Sequence, residues 1–436
     1  MRRVTALLAG IAAALAAAPT AAQTVAITGG RVVIGDGSPP IDGGTVVIRN
    51  GRVVAAGANV PVPAGAERID ASGRWVTPGI VAGFSRIGIV EVDGVDETND
   101  ASANNTPFNA ALDVVSAINP QASTIAISRA AGVTRAVVSP ATGRSIFAGQ
   151  GAVIDLGGDM DAVTRPRLFQ YVELGESGAG TAGGSRTAAY ATFRNALREA
   201  RDAGAGRRTD DVLLTRLDAN ALVPVLNGSQ LLLVHVERAS DILQVLSLRR
   251  DFPGLRIVLV GATEGWRVAQ EIAAARVSVI ANALVDLPAS FEQLAATQSN
   301  VGRMVAAGVR VSIGMLNDDE ARQVRLSTQY AGNLIGISRV PGHTGLSWDQ
   351  AFAAISSGPA ETMGLGGEIG SLRPGRRGDV VIWDGDPLEL ATGVEAVWID
   401  GVRQNLENRQ TRLRDRYRRP QEGALPHAYT PRTPSQ

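Results

Sequence analysis

The feature that most narrows the fold is a change of rhythm along the chain, with short strands at both ends and strand–helix alternation between them. From Thr24 to Arg74 the segments TVAITGGRVVIGDG and GTVVIRNGRVVAAG are strand-like and divided by turn residues. Asn50-Gly51 is a strong two-residue hairpin signal. After them come AGVTRAVVSP, QLLLVHV followed by ERASDILQVLSLRRDFPG, LRIVLVGA followed by TEGWRVAQEIAAAR, then VSVIANAL and GVRVSIGM. Spacings of roughly 25 to 35 residues between such strands suit βα units, hence a parallel sheet or barrel. The stretch LRPGRRGDVVIWDGDPLELATGVEAVWIDGVRQ returns to short strands at Val380-Val381-Ile382 and from Val394 to Ile399, which would complete the layer begun at Thr24. The expected class is α/β: a TIM-like (β/α)8 barrel over 78–364 with a small β-sandwich domain formed from both chain ends, 23–77 and 365–405.

A chain of 436 residues with 45% hydrophobic content can bury a core of that size. The opening MRRVTALLAGIAAALAAAPTAAQ sets Arg2 and Arg3 before an Ala/Leu-rich run that ends in small residues at Ala22. Residues 1–22 read as a cleavable export signal, since the run falls short of the roughly 20 strongly apolar residues that span a bilayer. A periplasmic or secreted protein is expected. Residues 406–436, which include RQTRLRDRYRRP, read as a short surface helix and a Pro-containing tail.

The chain has no cysteine, which removes disulfides, thiolate metal sites and cysteine nucleophiles together. All 42 basic residues are arginine, so no lysine is present for a Schiff base or a carbamate bridge between metals. Formal charge is zero, which argues against nucleic acid as a partner.

Residues 74 to 88 read RWVTPGIVAGFSRIG, and with GRVVIGDGSPPIDGGTVVIRNGRVVAAG before them and SWDQAFAAISSGPAETMGLGGEIGSLRPGRRGDVVIWDGDPLE far downstream they carry a resemblance. The segments FNAALDVVSAINP, SRAAGVTRAVV and LVHVERASDILQVL add to it. The chain resembles the amidohydrolase superfamily, and within it the imidazolonepropionase-like exported group. The resemblance implies a (β/α)8 barrel holding one or two divalent ions at its strand ends, where an ion-activated water cleaves C–N or ester bonds. It also implies the ligands: two histidines from strand one, often a lysine or glutamate from strand four, single histidines from strands five and six, and an aspartate from strand eight.

Against that set, strand one ends in Gly83-Phe84-Ser85 and supplies no histidine. His235 stands at the fifth-strand position. The sixth strand offers Gly261 and Glu264 without histidine, and the eighth has Met315 and Leu316 where the aspartate would stand, with Asp318 and Asp319 two residues late. His343 lies in the loop RVPGHTGLSW and His427 in the tail. The candidate catalytic or metal-binding groups are therefore His235, Glu264 and Asp318; the simpler expectation is that His235 hydrogen-bonds to a neighbouring strand while the aspartates are solvated. No cofactor is expected, with zinc or another divalent metal only if an atypical site exists.

Three other stretches read as structural. Glu91, Asp93, Asp96, Glu97 and Asp100 form an acidic loop without the ligand order of a calcium site. ELGESGAGTAGGSR is Gly-rich, lacks the ending of a phosphate loop, and reads as a flexible segment. Ser145, Ser177 and Ser229 lack a nucleophile elbow. The expected function is a catalytically eroded binding or assembly subunit, working as a homo-oligomer or beside an intact amidohydrolase, with Trp266 as a possible interface anchor and a small-molecule ligand possible at the mouth. The alternative is an active metal-dependent hydrolase of carbon–nitrogen bonds.

Overall fold

The computed structural model describes residues 24–92, 94–207, 212–317 and 321–418. The export signal assigned to 1–22, together with Asp93, Asp318, Asp319, His427 and the tail beyond 418, lies outside them. No described helix is long and apolar enough to cross a membrane.

Two eight-stranded sheets organise the chain. The first joins both ends: β1 (Thr24–Val32), β2 (Ile41–Arg49), β3 (Arg52–Gly57), β4 (Glu67–Asp70) and β5 (Trp75–Pro78) precede the second sheet, and three further strands follow it. The second sheet contains β6 (Ile80–Ser85), β7 (Val133–Val138), β8 (Phe147–Asp155), β9 (Val163–Glu173), β10 (Leu231–Val236), β11 (Ile257–Gly261), β12 (Ser278–Ala281) and β13 (Val311–Ile313). The chain then returns to the first sheet with β14 (Val380–Trp383), β15 (Val394–Ile399) and β16 (Val402–Arg403).

The end-to-end sheet is hydrogen-bonded continuously in the order β16-β15-β14-β5-β1-β2-β3, with β4 branching from β1. It is one sheet, where two facing sheets were expected. It curls: β3 at its far edge bonds back to the segment before β14, with Val53 N donating to Arg376 O (2.9 Å) and Gly375 N to Val53 O (2.8 Å). Period-2 alternation lets it bury both faces. Val380, Ile382 and Trp398 enter the sheet's own core, while Val381, Trp383, Val397 and Ile399 pack with the layer outside the barrel strands. Asn50-Gly51 forms the predicted hairpin, both residues at positive φ (54° and 73°).

The second sheet is a barrel, closed where Met315 N donates to Phe84 O (3.0 Å). Seven strands run parallel, but β8 is antiparallel to both β7 and β9. This departs from an eightfold βα repeat. The chain passes directly from β8 to β9 as a meander, and Gly151 permits it: a Cβ there would lie 2.0 Å from the Phe169 ring. ELGESGAGTAGGSR, expected as a flexible segment, contains the helix Glu176–Thr181, and Ser185 then caps the helix Arg186–Gly204. Gly79 separates the two sheets, since a Cβ there would strike Thr134 at 2.1 Å. Beyond the second sheet junction, the helix Arg409–Tyr417 buries none of its residues.

Candidate functional site

Alternation along three adjacent strands determines which side chains reach the barrel mouth. In β9, Phe169 and Tyr171 fill the interior; in β10, Leu231 and Leu233 do; in β11, Val258 and Val260 do. Two residues further on each of the first two strands, Glu173 and His235 therefore point the same way, at the C-terminal ends where barrels keep their functional groups. The register makes them direct neighbours.

Both nitrogens of the His235 ring are engaged. Nδ1 lies 2.9 Å from Glu173 Oε1 and 3.0 Å from its Oε2, and Nε2 lies 3.1 Å from Glu237 Oε1. Each ring nitrogen faces a carboxylate, and a protonated, cationic ring would donate to both. Burial opposes that charge, but the adjoining Glu173 and Glu237 outweigh it and hold His235 well above its ordinary range. Burial likewise works against Glu237, and the His235 contact with the Thr263 N–H bond (2.8 Å to Oε2) brings its carboxyl below the usual range. The Tyr171 hydroxyl donates to Glu173 Oε1 at 2.7 Å; burial, then Glu173, raises its pKa well above normal.

The first strand brings no metal donor. Phe84 is buried in the barrel and meets the Tyr171 ring edge-on at 5.4 Å. On the sixth strand Gly261 (φ 87°) has no side chain, and a Cβ there would lie 2.7 Å from Glu237 Oε1. The carboxylate of Glu237 thus occupies the room that a sixth-strand ligand would need. On the eighth, Met315 is buried and Leu316 packs against the barrel interior.

Of the three candidates, His235 is at the mouth, whereas Asp318 lies outside the described residues. Glu264 accepts backbone N–H groups at both oxygens: Oε2 takes Ala239 N at 3.0 Å, at the start of the helix Ala239–Asp251, and Oε1 takes Ala295 N at 2.9 Å. Glu173, Glu237 and Tyr171 were not among the candidates. The signal for Glu173 was present, because a fourth-strand glutamate belongs to the implied ligand set and RLFQYVE ends in one. Glu292 also comes close: it is buried, accepts from Glu176 N and Arg186 Nη2, and its pKa is raised by burial.

A divalent ion needs about three donors with free lone pairs. Both ring nitrogens of His235 lie against carboxylates at contact distance, and among the described residues no group of three His, Cys, Asp or Glu side chains is arranged to hold an ion. The described residues do not fit the divalent ion implied by the resemblance. A cavity of about 320 Å³ does exist, but it lies between the helices Arg186–Gly204 and Arg216–Leu226, lined by Glu199, Arg207, Leu214 and Arg216 among others, away from His235. His343 sits in an exposed loop with Nδ1 3.2 Å from Pro341 O. Ser229 bonds to Pro224 O and Asn227 Oδ1, with no histidine beside it.

Comparison with known proteins agrees with the architecture. The amidohydrolase family description matches residues 261–403. The protein "Amidohydrolase tasK" of Hapsidospora irregularis is 25% identical over 393 residues, which cover 79% of this chain and 38% of that protein. The chain thus spans well under half the length of that relative. Among solved structures, an amidohydrolase from Thermotoga maritima superposes with a TM-score of 0.77 at 23% identity, covering 87% of this chain and 99% of its own. Molinate hydrolase superposes with a TM-score of 0.53 at 18% identity, covering 88% and 95%. Together these similarities support the amidohydrolase superfamily.

Proposed function

We propose, from an amidohydrolase-type barrel whose mouth holds a histidine between two glutamates, that this chain is a catalytically eroded, exported member of the imidazolonepropionase-like group that serves as a binding or assembly subunit. The observation that carries the reading is the double engagement of His235 by Glu173 and Glu237. A hydrolase of the implied kind needs imidazole nitrogens free to bind an ion, and both nitrogens of His235 face carboxylates. Most of a barrel's packing lies away from its mouth, so the fold can outlast the loss of its metal ligands.

Support for assembly comes from the loop after β12. Leu287, Phe291 and Leu294 are 79%, 81% and 68% exposed, although their loop is firmly tied. Glu264 accepts Ala295 N, the Trp266 indole N–H donates to Ala295 O at 2.9 Å, and Glu292 is held by Arg186. Trp266, expected as an interface anchor, is a brace for this loop, with Arg303 stacked over its ring at 4.6 Å. Each exposed side chain forgoes roughly 1.5–3 kcal/mol of burial, which a partner surface would restore. The partner is a second copy or a histidine-complete amidohydrolase of the same compartment.

Light scattering on the purified chain, alone and mixed with intact exported homologues, tests assembly, while elemental analysis and hydrolysis of N-acyl and dipeptide substrates with and without zinc test erosion. An oligomer or captured homologue without zinc-dependent turnover is expected. A monomer that captures nothing, or turnover that requires zinc, overturns the reading.

A further inference from the structure

The mouth residues do more than fail to hold a metal; they build a connected replacement for it. Glu173 closes β9, His235 lies on β10, and Glu237 follows β10 and reaches across to the backbone beyond β11. Starting from Tyr171, the contacts run without a break: hydroxyl to Glu173 (2.7 Å), Glu173 to Nδ1 (2.9 Å), Nε2 to Glu237 (3.1 Å), Glu237 to Thr263 N (2.8 Å). Glu173, Glu237 and Tyr171 are 7%, 4% and 4% exposed, so these carboxylates have little water to solvate them. Two carboxylates converging here need a partner between them; His235 turns one ring nitrogen to each, and Gly261, lacking a Cβ, leaves the space for Glu237.

We propose that His235, clamped between Glu173 and Glu237, is a metal-free brace that ties three successive barrel strands together in place of a divalent ion, and that its filled geometry excludes such an ion. The proposal rests on the reading above only in denying the mouth a metal; it makes no use of assembly. Its chemistry is that of a clamped triad: removing the central ring orphans two buried carboxylates, whereas removing the ring together with one carboxylate orphans less. A role confined to packing or to one hydrogen bond would not show that asymmetry.

Thermal unfolding of the full chain and its variants is the measurement. His235→Gln should lower Tm by several degrees, and His235→Gln/Glu237→Gln should recover at least half of that loss; equal or additive losses overturn the brace. After incubation with equimolar zinc and gel filtration, the wild type should carry none at His235. One zinc per chain overturns both the brace and the eroded-site reading, whereas a stable His235→Gln protein free of zinc sinks the brace alone.

Discussion

Arg135 on β7 grips Asp379, 244 residues away, through two parallel bonds, Nε to Oδ2 at 2.7 Å and Nη2 to Oδ1 at 2.9 Å. The guanidinium is 1% exposed and joins the barrel to the end-to-end sheet. Its Nη2 also reaches Asp400 Oδ1 at 2.8 Å in the turn between β15 and β16, and its Nη1 lies 3.6 Å from Asp155 Oδ2 at the end of β8. One cation thus serves three carboxylates from both sheets. Removing it leaves Asp379 buried and uncompensated, a loss of about 3–5 kcal/mol. Arg135→Gln should lower the urea midpoint of unfolding accordingly, and Arg135→Gln/Asp379→Asn should return part of the loss. A single variant within about 1 kcal/mol of wild type would show that the pair does not hold the sheets together.

Asp155 shapes stability against pH in an uncommon direction. Burial pushes its carboxyl from the ordinary 3.8 up to about 6. The folded state therefore takes up this proton at a higher pH than the unfolded chain does. Its contribution is most favourable at low pH and is lost as pH rises through about 6. Two pKa units correspond to roughly 3 kcal/mol. Asp155→Asn, which resembles the protonated carboxyl, should therefore gain about 2–3 kcal/mol on wild type between about pH 4 and pH 7. Denaturant titrations of both proteins across that range check this, and a pH-independent gap between them refutes it.

Much of the architecture was legible because it is written in local periodicity. The runs LLLVHV, LRIVLVGA and VSVIANAL became β10, β11 and β12, and Asn50-Gly51 makes its turn at the expected positive φ. The β8–β9 meander was not read. FAGQGAVID carries glycines that ordinarily weaken a strand, and their reason, the Phe169 ring lying over Gly151, is a contact across strands. The site was legible only in part, for the same cause. His235 was visible at a strand end, but its partner Glu173 lies 62 residues earlier and meets it through sheet register. Glu237, two residues on, was passed over because in an extended strand it would share a face with His235 without touching it; the strand ends at Val236, and the backbone then carries the carboxylate round to Nε2. The bonds of Glu264 were hidden as well, because its oxygens answer the backbone N–H groups of Ala239 and Ala295, which no sequence spacing brings together.

Those two N–H groups give a further expected outcome. Glu264→Ala leaves Ala239 N and Ala295 N without their acceptor, at a cost of about 1–3 kcal/mol each where no water replaces it. Unfolding should show a loss of that order. Glu264→Gln, which keeps one acceptor oxygen, should lose about half as much. Zinc content identical in wild type and both variants agrees with a structural role; a fall from one zinc per chain to none would return Glu264 to the ligands.

The loop that Glu264 and Trp266 brace separates stability from association. Phe291 and Leu294 stand in water, so Phe291→Ser/Leu294→Ser removes almost no buried area from the folded chain, and the unfolding free energy should move by no more than about 0.5 kcal/mol. If this loop is where a partner docks, the same double variant removes apolar area from the centre of the interface, where truncations typically cost about 2 kcal/mol or more. The expected result is an unchanged Tm in dilute solution together with a dissociation constant at least about thirtyfold weaker, read by sedimentation velocity over a concentration series. Trp266→Phe provides the control from beneath the loop: it deletes the indole N–H bond to Ala295 O while leaving the exposed side chains in place, so it should weaken both stability and association. Association that survives the double serine variant at full strength would remove this loop from the assembly surface.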